Sequence, residues 1–132
     1  GTAITQLGHC GDLARAMVAV LGNSAAIGQI YNVSGARYVT FDGLAQACAD
    51  AMGQPAPDIR HYAPAQFDFG KRNAFPMRVQ HFFASIDKAQ KDLAWTPCYG
   101  LTDGLKDAYD NDYSQAEQSV DFELDEQILA AI

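Results

Sequence analysis

Six of the nine lysines and arginines fall in one stretch: Arg60, Lys71, Arg72, Arg78, Lys88 and Lys91. Phe67, Phe69 and Phe75 are interleaved with them. Cations beside aromatic rings suit looped or single-stranded RNA, the cations meeting phosphates and the rings stacking on bases. The same residues equally suit a long loop pinned to a core by its aromatics. Arg78 is the leading candidate, because its planar guanidinium fork matches phosphate oxygens. Its alternative is an ion pair with a core carboxylate. Lys71, Arg72, Arg60 and His81 complete the set of RNA- or phosphate-binding candidates. For His81, at the expected start of a strand, a purely structural role is the simpler reading.

Other chemistry finds little footing. His9, His61 and His81 share no helical or Cys/His spacing of the kind that holds a metal. No nucleophile, base and orienting group can be assembled, so no catalytic residue is assigned. Gly8-His9-Cys10-Gly11 is too short for a phosphate loop, and packing or turn geometry explains its glycines. No Gly-x-Gly-x-x-Gly is present, and none of the six tyrosines has a lysine four residues on. Asp110 and Asp112 read as solvated rather than as magnesium ligands.

The elements that must position these residues form one domain. The chain has 132 residues, 48% apolar and 19% charged, which is globular rather than disordered composition. Residues 103–126 hold nine of the sixteen acids and only one base, Lys106, so the net charge of −7 belongs largely to the tail. No apolar run approaches the roughly 18 residues that span a bilayer, and no membrane partner is expected. No secretory signal is visible at the N-terminus. Three cysteines (Cys10, Cys48, Cys98), an odd number without Cys-x-x-Cys, point to buried thiols in a reducing compartment.

Residues 5–9 read as a short strand. Asp12 is expected to cap a helix whose apolar stripe is Leu13, Ala16, Met17, Val20 and Leu21, stopped at Gly22-Asn23. Gln29 to Ser34 reads as a strand. Thr40 should cap a second helix with Phe41, Leu44, Ala45, Cys48 and Met52 inward and Gly53 ending it. Short strands are expected at 59–62 and 81–85, and residues 64–80 are irregular. Ser85 should cap a short helix to Leu93, with Trp95 a core anchor before Pro97. Thr102 should cap a helix to about Tyr113, and Phe122, Leu124, Ile128 and Leu129 support a last one. Alternating short strands and helices indicate an α/β domain, or α+β for the chain taken alone.

In that order the pieces resemble the C-terminal, substrate-side portion of extended short-chain dehydrogenase/reductases, the sugar-nucleotide epimerase group with a Rossmann-type fold. The residues that carry the resemblance are His9 to Ala14, Tyr31 to Gly35 with Thr40, Arg78 to His81, and Ser85, Lys88, Ala89, Leu93, Trp95 and Pro97. In those enzymes an arginine matching Arg78 clamps the substrate diphosphate. His81 stands where the family has an aspartate, which departs from that site. Within the group, residues 5–9, 38–45, 67–71, 74–76 and 80–85 resemble the chloroplast stem-loop-binding proteins.

That resemblance implies an RNA-binding, ribosome-associated protein of the chloroplast stroma, or of the cytoplasm if cyanobacterial. It also implies a role in transcript stability or processing, and an endonuclease activity on stem-loops in the parent. Partners so implied are structured RNA or the ribosome, a missing N-terminal Rossmann half, and a homologous or self partner. No cofactor is expected in this chain; NAD(P) or magnesium would belong only to the parent. The rival reading is the substrate-binding lobe of a sugar-nucleotide epimerase or reductase.

Overall fold

The computed structural model describes residues 1–71, 74–75, 79–116 and 120–132. Strand β1 (Ile4–Thr5) pairs antiparallel with β2 (Val39–Thr40), Ile4 facing Thr40 and Thr5 facing Val39. On its other side Thr5 forms a single parallel bridge with Phe82. The described residues also form five α-helices, α1 (Cys10–Ala19), α2 (Phe41–Ala51), α3 (Asp87–Leu93), α4 (Leu101–Asn111) and α5 (Glu123–Ala131), of which α2 packs against β2 and against α4. The architecture is mixed helix and strand, as expected.

Local chemistry explains most helix ends. Thr40 caps α2 as anticipated, its hydroxyl accepting the Gly43 amide at 3.0 Å. Gly53, at φ +62, takes the left-handed conformation that ends the helix cheaply. The Ser85 hydroxyl accepts the Asp87 amide at the start of α3. Helix α4 begins one residue before Thr102, with Gly100 at its N-cap. The last helix forms and buries Ile128.

Helix α1 departs from expectation. It starts at Cys10, and its cap is the His9 ring, whose Nδ1 accepts the Gly11 amide at 3.2 Å. Asp12 lies inside the first turn and serves another segment, described below. Of its apolar stripe only Ala16 is buried, whereas Leu13, Met17 and Leu21 are 43%, 61% and 77% exposed. In α2 the buried residues are Ala47 and Ala51, and Cys48 is exposed. All three thiols are exposed, contrary to the expectation of buried ones.

The expected strands are reduced. Residues 29–34 and 59–62 form no ladder, and 81–85 contributes only the bridge at Phe82. The core comprises Ala16, Ile86, Ala89, Leu93 and Trp95, with Ala19, Ala26, Tyr31 and Val33 against it. Trp95 is the expected anchor, 3% exposed, its indole N–H donating to the Asp12 carbonyl at 2.9 Å.

Candidate functional site

The basic candidates do not converge in the described residues. Arg72 and Arg78 lie outside them. Lys71 is exposed at a turn made by Gly70 (φ +56), whose amide is held by the Asp68 carboxylate at 2.8 Å. Arg60 is exposed, and its guanidinium is held by Asp58 through Nη2 at 2.5 Å and Nε at 3.1 Å. That hydrogen bonding raises its pKa above the ordinary arginine value. His81 Nδ1 accepts the Ile4 amide at 3.0 Å, so its ring locks residue 81 to β1. The structural role considered for His81 is the one its geometry favours.

The neighbouring aromatics pack on one another. Tyr62 meets Phe67 edge-on at 5.7 Å and stacks on Phe69 at 6.1 Å, while Phe75 meets Phe41 of α2 edge-on at 5.3 Å. Aromatic pairing therefore organises this long segment. Phe75 still presents 67% of its surface to solvent beside the basic stretch.

The most developed polar site was not legible in the spacing. The Asp12 carboxylate, 2% exposed, accepts the Cys98 amide at 2.9 Å, the Tyr99 amide at 3.2 Å and Arg15 Nη2 at 2.6 Å. Arg15 also reaches the Thr96 carbonyl at 2.6 Å. Burial pushes the carboxyl pKa up, but the Arg15 and backbone hydrogen bonds outweigh it and hold it below the usual range. Beside it, His9 stacks on Tyr99 at 3.7 Å and its Nε2 lies 3.0 Å from Asp107 of α4. With Nδ1 accepting from Gly11, Nε2 carries the proton given to Asp107.

Above this network lies a groove of about 570 Å³, walled by Tyr31, Asn32, Val33 and Ser34 on one side and Phe82, Phe83 and Ala84 on another. Gln6 spans it: Oε1 accepts the Ala84 amide and Nε2 donates to the Gly35 carbonyl, both at 2.8 Å. Its floor holds His9, Cys10, Asp12 and Leu13. These residues do not fit a dinucleotide diphosphate. The α1 N-terminus is capped by His9, and among the described residues the lining offers the Asp12 carboxylate and no lysine or arginine. A second hollow of about 510 Å³ between the end of α2 and α4 presents Lys106 already paired with Asp110 at 2.7 Å.

This arrangement is part of the Rossmann-type fold of NAD-dependent sugar-nucleotide epimerases and dehydratases. It superposes on UDP-glucuronic acid 4-epimerase from Bacillus cereus, solved with NAD, with a TM-score of 0.66 at 22% identity, covering 88% of this chain and 34% of that one. It superposes on dTDP-glucose 4,6-dehydratase from Bacillus anthracis, also solved with NAD, at 0.65 and 17% identity, covering 87% and 33%. In sequence the chain is 52% identical over 132 residues to the chloroplast stem-loop binding protein of 41 kDa b from Arabidopsis thaliana. That match takes in 98% of this chain, which spans about a third (35%) of the relative's length. No protein-family model matches the chain.

Proposed function

We propose that this chain is an RNA-binding, ribosome-associated component of a chloroplast stem-loop-binding protein, acting in the stroma in transcript stability or processing. The observation that carries the reading is the 52% identity to a chloroplast stem-loop binding protein across nearly the whole chain. The contact surface is the basic stretch from Arg60 to Lys91, led by Lys71, Arg72 and Arg78. Exposed Lys71 and Phe75 supply the two chemistries that looped RNA needs, charge for phosphates and a ring for bases. The acidic tail repels phosphate and bounds the surface.

The second reading, a sugar-nucleotide substrate lobe, draws on the fold likeness to the epimerases. Against it, Nδ1 of the His81 ring is already engaged with the Ile4 amide. Titrating labelled stem-loop RNA and, separately, UDP-glucuronic acid into this chain tests the choice. RNA binding on the order of micromolar or tighter at low salt, with no UDP-sugar response, is expected. A saturable UDP-sugar response without RNA binding would overturn the reading.

A further inference from the structure

Residues 13–41 and 69–86 contain no acid, although the chain has sixteen. Their cations include Arg37, Lys71, Arg72 and Arg78. The small sheet brings these two acid-free segments to either side of β1: β2 pairs with one side of the strand, and Phe82 bridges to Thr5 on the other. Tyr38 and Phe83, next in the chain to these pairings, meet with ring centroids 5.4 Å apart and planes tilted by 36°.

Hydrogen bonds fix the backbone on both sides of the pair. The Gly35 amide donates to the Leu7 carbonyl at 2.9 Å, and the Phe82 amide to the Ile4 carbonyl at 2.8 Å. Gln6 ties the two segments together, its Nε2 donating to the Gly35 carbonyl and its Oε1 accepting the Ala84 amide. Tyr38 and Phe83 nevertheless stand 63% and 57% exposed. Two touching rings on a braced backbone offer a rigid π surface at little cost in ordering, which is what a nucleobase stacks on. Among the described residues, Arg37 is exposed and its guanidinium takes no hydrogen bond or ion pair, whereas Arg60 is held by Asp58. Charge of one sign around the rings selects an anionic partner.

We propose that Tyr38 and Phe83 stack on an unpaired base of an RNA loop, and that Arg37 takes the adjoining phosphate. This rests on the RNA reading and deepens it, adding Arg37 and Tyr38 from outside the stretch between Arg60 and Lys91.

Two RNAs that share one stem, a stem-loop and a blunt duplex without unpaired bases, separate the stacking from RNA binding as such. The Tyr38→Ala, Phe83→Ala double variant, checked for folding by circular dichroism, should bind the stem-loop roughly 5- to 150-fold more weakly. Its affinity for the duplex and its salt slope should not change, because the rings meet no phosphate. Arg37→Ala should flatten the stem-loop slope by about 0.7. Equal loss on both RNAs, or loss on neither, overturns the stacking and leaves the RNA reading standing. An unchanged Arg37→Ala slope overturns the phosphate contact. Should the double variant not fold, Tyr38→Trp decides: its emission, corrected for that of Trp95, should be quenched by the stem-loop and not by the duplex. Stem-loop binding without quenching, or quenching that grows with protein concentration alone, overturns the proposal. If the folded wild-type chain binds neither RNA, the RNA reading fails and the stacking falls with it.

Discussion

Removing the Asp12 carboxylate should unfold this domain well before any surface change does. Asp12→Ala strands two amides, Cys98 and Tyr99, that now donate at 2.9 and 3.2 Å to a nearly fully buried acceptor. Each buried donor left without a partner costs roughly 1–3 kcal/mol. Their sum, about 2–6 kcal/mol, brackets the usual cost of about 3–5 kcal/mol for removing one side of a buried charged network, and the narrower range sets the expected shift. At this size 1 kcal/mol moves the Tm by about 4 °C, so the transition followed by circular dichroism should fall by about 12–20 °C. Asp12→Asn keeps one acceptor oxygen and should fall about half as far. Arg15→Ala leaves both loop amides satisfied, and its side chain is 47% exposed, so its shift should be distinctly smaller. An Asp12→Ala shift of only a few degrees, or an Arg15→Ala shift as large, would refute the claim that this carboxylate holds the loop after Trp95.

Acid should act through the same group. Because the folded-state pKa of Asp12 is depressed, its contribution is intact above the unfolded carboxylate value of about 3.9 and lost as pH falls through the folded value; urea midpoints of Asp12→Asn should therefore fall less steeply than wild type below pH 4. Gly35→Ala drives a Cβ into the Leu7 carbonyl oxygen, and about 2 kcal/mol or more should be lost in urea unfolding, as rigid backbone cannot yield. Gly53→Ala meets open space and should cost only about 1 kcal/mol of backbone strain at its positive φ. Thr40→Ala removes the α2 cap and should cost about 1 kcal/mol by the same measurement.

What the sequence disclosed was local chemistry. Thr40 as a cap, Gly53 as a stop and Trp95 as an anchor each depend on neighbours within a turn or on one large apolar side chain. Asp12 was misread because its type suits a cap, while its partners lie 86 and 87 residues away, beyond the reach of spacing. The α1 stripe had the correct period, but period says that a face is apolar, not what covers it, and Leu13, Met17 and Leu21 stand exposed. Strand composition at 29–34 likewise names a propensity; a ladder needs a second strand. Of the candidate site, Arg60 and His81 were found in sequence by type, and only geometry revealed that Asp58 and Ile4 engage them. The groove spanned by Gln6 left no sequence signal, because its walls come from three separated segments.

Whether the basic stretch grips RNA phosphates is read from the slope of binding with salt. Stem-loop RNA affinity should be titrated against salt for this chain and for its Lys71→Ala, Arg72→Ala, Arg78→Ala triple variant, with circular dichroism confirming that both are folded. Each phosphate contact contributes a slope of roughly −0.7 to −0.9 in log affinity against log salt. Binding by the wild-type chain is expected, with a variant slope shallower by about 2–3. An identical slope in the folded variant, or no binding by the folded wild-type chain, would contradict it.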